Sequence, residues 1–211
     1  MRSFRALLLV LIIVFAVLTY LAKLNPYFPF DLVITRSIQS INLAGFDLLM
    51  RFLTTLGNHP YWEILVFGSS IIFWLVKLKK EAIITLVSSI GVLTLSELIK
   101  RIVARPRPDG SLVIQIEHFT RPDSFPSGHV LFFMGFFGFL LFVVYSQKSS
   151  AYSRFKPGIL RTFLICLLGL LLILIGISRI YLGAHWFSDT LGSYLLGIIW
   201  LYLMVYIYRK Y

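Results

Sequence analysis

Long apolar runs recur along the chain and constrain its fold more than any other feature. Six runs approach the length of a membrane helix: Ala6–Ala22, Tyr61–Val76, Ala82–Ile99, Val130–Tyr145, Thr162–Ile177 and Ser188–Tyr208. About 20 mostly apolar residues cross a bilayer as a helix. Only 14% of the 211 residues are charged, whereas soluble domains carry about a quarter. These observations predict an all-α membrane protein with six transmembrane helices, folded as one domain over residues 1–211.

The segment Phe30–Leu56, between the first two runs, has a different pattern. Its apolar residues recur at helical spacing with polar residues between them, at Ile34, Ile38, Ile41, Leu48 and Phe52. This pattern predicts an amphipathic helix lying in the membrane interface. A broken seventh span is the alternative, which Arg36, Asp47 and Arg51 disfavour because charged groups are costly in hydrocarbon.

The net charge of +11 would suggest a nucleic-acid partner in a soluble protein. Here the basic residues flank apolar runs, so anionic lipid and membrane orientation explain them better, and we expect no nucleic-acid partner. The one cysteine, Cys166, lies inside an apolar run and cannot form an internal disulfide.

The distribution of charge between the two sides of the membrane predicts orientation. With six spans, the side that holds both termini carries eleven of the 20 lysines and arginines but only one of the nine acids. Basic residues accumulate on the cytoplasmic side of membrane proteins. The loops Lys100–Phe125 and Ser178–Phe187 are therefore expected to face the extracytoplasmic side of the cell membrane.

Three polar segments fall on this outward side. They are Lys100–Pro108 after the third run, Pro126–His129 before the fourth, and Ser178–Asp189 between the fifth and sixth. Three of their cations, Lys100, Arg107 and Arg179, could neutralise phosphate oxygens. Charged groups at membrane depth usually mark function, so their convergence predicts a phosphate site.

The remaining polar residues of these segments suit phosphoryl transfer. Ser127 and Gly128 lie where the fourth helix begins, and free N–H groups at a helix N-terminus favour an anion. With two histidines, His129 and His185, one could attack phosphorus while the other protonates the leaving oxygen. Asp189, four residues beyond His185, could hold one ring nitrogen. Taken singly, these features also fit a membrane-flanking basic cluster, a turn or a helix start.

In these three segments the sequence resembles the type-2 phosphatidic acid phosphatase family, which also includes vanadium haloperoxidases and glucose-6-phosphatase. Every position of the three family motifs is present: Lys100, Arg107 and Pro108 in the first, Pro126–His129 in the second, and Ser178, Arg179, His185 and Asp189 in the third. The motifs cover about residues 97–189, and the six-span layout extends the resemblance to the whole chain.

The resemblance implies a lipid phosphate phosphatase that needs no metal and no cofactor. It implies that His185 is the nucleophile that forms a phosphohistidine, that His129 is the general acid and that Asp189 orients His185. The expected phosphate-binding residues are Lys100, Arg107, Ser127, Gly128 and Arg179.

The substrate is expected to be an anionic membrane lipid. Phosphatidylglycerol phosphate is the leading candidate, with undecaprenyl diphosphate also considered and phosphatidate and diacylglycerol pyrophosphate after them. A lipid phosphotransferase of the same family and a lipid or phosphate transporter remain alternatives, and the sequence does not address the oligomeric state.

Other residues near the motifs have less defined expectations. Glu97 precedes Lys100 by three residues, the spacing of a helical ion pair. Glu117, His118 and Arg121 could contact a lipid head group from the long outward loop. Gly135 and Gly138 could allow two helices to approach closely.

Overall fold

The computed structural model describes residues 2–117, 122–146 and 158–211, with side chains described from residue 6 onward. These residues form eight helices: α1 (Arg2–Leu24), α2 (Pro29–Gln39), α3 (Phe46–Thr55), α4 (Tyr61–Leu75), α5 (Lys79–Val103), α6 (Gly128–Ser146), α7 (Ile159–Tyr181) and α8 (Phe187–Lys210). The only extended pairing within the described ranges is an isolated antiparallel bridge between Pro106 and Asp123. The prediction of an all-α fold is confirmed.

Five helices, α1, α5, α6, α7 and α8, are long and apolar enough to cross a membrane. The sixth predicted span, α4, is apolar but has only 15 residues. At about 1.5 Å per residue, it reaches about 22 Å, less than the roughly 30 Å of a hydrocarbon core. A multi-span protein is therefore supported, while the count of six spans stays a prediction.

Helix α6 lies at the centre of the bundle and packs against α5, α7 and α8. It is apolar on all sides, which is typical of a helix surrounded by others. Four of its phenylalanines are almost completely buried: Phe132, Phe133, Phe136 and Phe139. Helix α1 packs on α8 at the outside of this bundle. The central position of α6 fixes where its first residues, Gly128 and His129, lie.

Close helix packing against α6 depends on glycine. The hydroxyl of Ser88 on α5 donates a hydrogen bond of 2.7 Å to the carbonyl oxygen of Gly135. A Cβ atom at Gly135 would lie 2.7 Å from Val92 Cγ1 and 3.0 Å from the backbone oxygen of Ser88. A Cβ atom at Gly138 would lie 3.2 Å from Leu201 on α8. The expectation that these glycines allow close helix contact is confirmed.

The expectation of a single amphipathic helix over Phe30–Leu56 is wrong, because this segment forms α2 and α3. The break falls at residues 40–45, and Gly45 has a φ of +81°. This left-handed conformation ends a regular helix and suits glycine, which has no Cβ atom. The two short helices pack on α7, and α2 also packs on α8. They lie across the carboxyl end of α7, where Ser178 donates to the backbone oxygen of Met50.

The contact at Gly135 gives a test of the packing. Gly135→Ala should lower the thermal unfolding midpoint in detergent, because the new Cβ atom meets backbone as well as side chain and overpacking costs about 1–3 kcal/mol. Gly169→Ala on α7 is the matched control, since its Cβ atom would meet no atom of the described residues within 4 Å. Alanine is the better helix former by about 1 kcal/mol, so the control should be neutral or stabilising. Equal midpoints for the two variants would contradict the close approach of α5 and α6.

Candidate active site

Several helix ends meet at one end of the bundle and carry the residues of the three motifs. Lys100 lies in the last turn of α5 and Arg179 in the last turn of α7. Gly128 is the first residue of α6, and His185 precedes α8. His129 lies within electrostatic range of His185 and of the motif cations. The residues predicted from widely separated positions in the sequence are thus brought together.

The loop between α5 and α6 is fixed by backbone hydrogen bonds between its two ends. The N–H of Arg107 donates to the oxygen of Pro122 at 3.1 Å, and the N–H of Ser124 donates to the oxygen of Arg105 at 2.8 Å. These bonds hold the first motif beside the start of the second, and so position Arg107 against the loop that carries His185.

His185 is buried, with 1% of its surface exposed. Burial is the largest cause that holds its pKa well below the ordinary value of 6.5, and the positive charges of Arg107, Arg179 and Lys100 lower the pKa further. The imidazole is therefore neutral around pH 7. Neutral imidazole is the form that has a nitrogen lone pair available for attack.

The contact with Arg107 indicates which nitrogen of His185 carries the lone pair. Nη1 of Arg107 donates to the backbone oxygen of Ala184 at 2.8 Å and lies 3.3 Å from Nε2 of His185. A guanidinium group can only donate hydrogen bonds. Nε2 must then be the acceptor, and the proton of the neutral ring belongs on Nδ1. The lone pair thus points towards the cations.

Asp189 lies beside Nδ1 of His185 but not within hydrogen-bonding distance. Its Oδ2 atom is 3.7 Å from Nδ1, beyond the usual range for an N–H···O bond. Oδ2 instead accepts from the backbone N–H of Trp186 at 2.9 Å. Oδ1 accepts from Nη1 of Arg105 at 2.5 Å. Asp189 thus lies next to His185 without a hydrogen bond to it, and it is held by Arg105, a residue to which the sequence analysis gave no role in the site.

Ser127 and Gly128 form the wall of the site at the start of α6. The backbone N–H of Ser127 donates to the hydroxyl of Ser193 on α8 at 2.7 Å, so this N–H group has a partner within the protein. Its own hydroxyl is buried and has no hydrogen-bond partner among the described residues. A Cβ atom at Gly128 would lie 3.7 Å from Nζ of Lys100, so the start of α6 lies close to the Lys100 ammonium.

Arg179 is held by residues from two other segments. Its Nη1 atom donates to the hydroxyl of Thr54 on α3 and to Oε2 of Glu117, the latter at 2.9 Å. Burial, followed by the charge of Arg179, lowers the pKa of Arg107 to about 10, so Arg107 remains a cation at neutral pH. Glu97 lies 3.8 Å from Nζ of Lys100, as the sequence predicted.

His118 and Arg121, which could contact a head group, lie outside the described residues. Glu117 is described, and its carboxylate pairs with a predicted phosphate-binding residue. Within the described ranges, no group of three or more histidine, cysteine, aspartate or glutamate side chains could hold a metal ion.

His129 is held by the loop between α3 and α4. Its Nε2 atom lies 2.9 Å from Oδ1 of Asn58. A Cβ atom at the neighbouring Gly57 would lie 2.4 Å from Cδ2 of the His129 ring. Glycine at this position therefore permits the loop to approach the histidine. The short helices and their loops thus support the site as well as covering it.

Sequence analysis missed the site residues of the amino-terminal half, which carries no motif. Asp31, Thr54 and Asn58 contact Arg105, Arg179 and His129 respectively. Asp31 had one recognisable signal, because a carboxylate in an interfacial helix is costly unless it has a partner. Thr54 and Asn58 have none, since either residue is common at a helix end or in a loop.

A family model matches residues 81–211, and its description is the PAP2 superfamily. A curated relative, phosphatidylglycerophosphatase B of Bacillus subtilis (strain 168), is 29% identical over 110 residues, which are 52% of this chain and 49% of the relative. The match thus spans about half the length of that relative.

Two solved structures have a similar fold. One is described as the first transmembrane PAP2 type phosphatidylglycerolphosphate phosphatase from Bacillus subtilis; it covers 96% of each chain with a TM-score of 0.75 and 22% identity. The other is LpxE of Aquifex aeolicus, with a TM-score of 0.58 and 20% identity over 87% of this chain and 97% of that one.

The environment of His185 predicts an unusual titration. A variant with His59, His118 and His129 changed to glutamine keeps only one of the four histidines. A lowered pKa means that the ring stays neutral as pH falls, so NMR of labelled histidine should find it neutral below pH 6.5. Adding Arg107→Gln should raise the pKa, because it removes the largest charge contribution. A midpoint at or above 6.5 without that change would contradict the buried, cationic environment.

Proposed function

The chain belongs to the PAP2 superfamily, and on that premise we propose that it is an integral membrane phosphatase that removes phosphate from a lipid. This membership confirms the resemblance to the type-2 phosphatidic acid phosphatase family that the three motifs indicate. The observation that carries the proposal is the position of Nε2 of His185, which lies 3.3 Å from Nη1 of Arg107. Lys100 and Arg179 act on the same ring. A neutral nucleophile among cations suits attack on an anionic phosphate.

The first step of the proposed reaction transfers phosphate to the enzyme. Lys100, Arg107 and Arg179 bind the phosphate oxygens, with Ser127 as a further donor, and compensate the charge that the transition state spreads over them. Nε2 of His185 attacks phosphorus as the bond to the lipid oxygen breaks. His129 gives a proton to that oxygen, and the lipid alcohol leaves.

The second step regenerates the enzyme. Water attacks phosphorus while the bond to Nε2 breaks, and the unprotonated His129 accepts a proton from the water. Inorganic phosphate leaves and Nε2 recovers its lone pair. The proton on Nδ1 stays on the ring throughout, beside the carboxylate of Asp189. No step requires a metal ion or a cofactor.

Phosphatidylglycerol phosphate is the proposed physiological substrate, and undecaprenyl diphosphate is the second candidate. The name of the curated relative and the description of the first similar structure support this choice.

The proposed enzyme is one domain over residues 1–211 with six membrane spans in the cell membrane. A lipid phosphotransferase, in which an alcohol replaces water in the second step, is the alternative. A transporter is disfavoured because it has no need for Asp189 behind His185.

Phosphate release from defined lipids tests the proposal. Purified protein should release phosphate from phosphatidylglycerol phosphate faster than from undecaprenyl diphosphate, phosphatidate or diacylglycerol pyrophosphate. Excess EDTA should leave the rate unchanged, because the proposed site compensates phosphate charge with lysine and arginine. Absence of release from every lipid would refute the phosphatase, and loss in EDTA with recovery in magnesium would refute the metal-free site. Transfer of phosphate to an added alcohol would favour the phosphotransferase.

The two histidines should differ in how they depend on the leaving group. His185→Ala removes the nucleophile, so hydrolysis of both a lipid monophosphate and p-nitrophenyl phosphate should be lost. His129→Ala removes only the proton donor, and general acid catalysis contributes about a hundred- to ten-thousandfold. Because p-nitrophenolate leaves as a stabilised anion, the His129 variant should lose far more activity on the lipid than on the aryl ester.

Two outcomes of that comparison would contradict the assigned roles. If the His129 variant were equally inactive on both substrates, His129 would do more than donate a proton. If the His185 variant kept aryl phosphatase activity, the nucleophile would be wrong. Gly68→Ala is a suitable control, because in the described part of the chain its Cβ atom would meet nothing within 4 Å.

The proposed orientation can be tested by cysteine labelling in intact cells. In a Cys166→Ala background, Ser111→Cys lies in the exposed loop on the site side and should react with a membrane-impermeant thiol reagent. Lys79→Cys, exposed at the opposite end of α5, is the control and should react only after permeabilisation. The reverse pattern would place the site on the cytoplasmic side.

A further inference from the structure

A cluster of buried charged groups lies behind the proposed nucleophile. The side chains of Arg105, Asp31 and Asp189 have no exposed surface. Nη1 of Arg105 donates to Asp189 Oδ1 at 2.5 Å, and Nη2 donates to Asp31 Oδ2 at 3.1 Å. Nε of Arg105 donates to the backbone oxygen of Asn25 at 3.1 Å. One guanidinium thus joins two carboxylates that are 158 positions apart in the sequence.

The hydroxyl of Ser188 closes this cluster. It lies 2.7 Å from Nη1 of Arg105 and donates to Asp31 Oδ2, also at 2.7 Å. Oδ1 of Asp31 accepts from the backbone N–H of Ser188 at 2.8 Å, and Oδ2 accepts from the N–H of Phe28 at 3.0 Å. Asp31 therefore caps the start of α8 from outside and the start of its own helix α2. It fixes the first turn of α8, which carries Asp189.

The balance of charge in the cluster is uneven. Two carboxylates face one guanidinium, and none of the three side chains has exposed surface, so the cluster carries one net negative charge when both carboxylates are ionised. Buried charges are costly unless they are paired. The imidazole of His185 lies against this cluster, with its Nδ1 atom 3.7 Å from Asp189 Oδ2. That ring becomes cationic when its Nε2 bonds to phosphorus.

We propose that Arg105 and Asp31 are positioning residues that fix the carboxylate of Asp189 beside Nδ1 of His185 and supply the negative charge that stabilises the ring as it is phosphorylated. This inference rests on the proposed function and assigns to the α2 segment a part in the reaction. As the bond between Nε2 and phosphorus forms, the lone pair of Nε2 becomes that bond and the ring takes a positive charge. The cluster compensates this charge without accepting the Nδ1 proton.

The two residues act through Asp189 and do not touch the phosphate. Asp31→Asn keeps an acceptor oxygen for the N–H of Ser188 but removes one negative charge. The positive charge of Arg105 then pairs with Asp189 alone. The cluster becomes neutral overall and stabilises a cationic His185 ring less. The rate of phosphoryl transfer should fall, while phosphate binding by Lys100, Arg107 and Arg179 should remain. The effect should appear in kcat rather than in KM.

A double-mutant cycle tests this dependence, with p-nitrophenyl phosphate as the substrate. Asp31→Asn should lower kcat roughly ten- to a hundredfold, by analogy with the loss of a group that orients a metal-bound histidine, with KM changed less than about threefold. On an Asp189→Asn background, Asp31→Asn should have no further effect on kcat, because the group through which it acts is already neutral. Asp47→Asn is the control, since Asp47 lies on the same segment in an exposed pair with Arg51, and it should leave kcat unchanged.

The outcomes of the cycle separate positioning from a structural role. If the fold-losses in kcat of the two single variants multiplied in the double variant, Asp31 would act independently of Asp189 and the proposal would fail. It would fail equally if Asp31→Asn kept the kcat of the wild-type protein. If Asp31→Asn does not fold, Arg105→Lys replaces it, because lysine keeps the charge but lacks the fork that joins two carboxylates. The same loss of kcat and the same dependence on Asp189 are expected.

Assays with the aryl substrate also distinguish a failure of this inference from a failure of the proposed function. Wild-type protein that hydrolyses p-nitrophenyl phosphate but no lipid phosphate would contradict the proposed function, and the cycle would still decide the role of Arg105 and Asp31. Wild-type protein without activity on either substrate would overturn both.

Discussion

The gathering of positive charge around one buried imidazole is the constraint on which the rest of the structure depends. Lys100, Arg107 and Arg179 all act on the His185 ring, which is itself almost completely buried. Such a group of cations is costly at membrane depth and needs compensation. Carboxylates from other positions supply this compensation: Glu117 pairs with Arg179, and Glu97 lies near Lys100. The helix ends must meet in one place for these pairs to form.

The sequence predicted those parts of the fold and site whose signals are local. Apolar runs indicated helices α1, α5, α6, α7 and α8, because length and hydropathy alone identify a membrane helix. Motif spacing predicts His185, Asp189 and the cations as site residues, because phosphate chemistry restricts the residue types that can serve, and the structure brings them to one end of the bundle. The count of six spans depends on α4, whose 15 residues fall below the usual length for crossing a bilayer.

What the sequence could not predict depends on contacts between distant segments. The break at Gly45 arises from a local left-handed turn, which a helical pattern of apolar residues does not reveal. The contact of Asp31 with Arg105, or of Asn58 with His129, requires the bundle to be assembled first. The distance of 3.7 Å between Asp189 Oδ2 and His185 Nδ1 also cannot be predicted from motif spacing. The amino-terminal half of the chain therefore contacts the proposed catalytic residues although it carries no motif.

The central claim is that His185 carries phosphate during turnover, and trapping that state tests it most directly. Purified protein would be mixed with ³²P-labelled p-nitrophenyl phosphate, quenched in alkali after milliseconds, and digested for tandem mass spectrometry under alkaline conditions. Phosphohistidine survives alkali but is hydrolysed by acid, unlike phosphoserine. The account predicts a base-stable, acid-labile phosphate on His185 that decays at a rate able to sustain kcat. Phosphate on another residue, or turnover with no covalent intermediate, would contradict it.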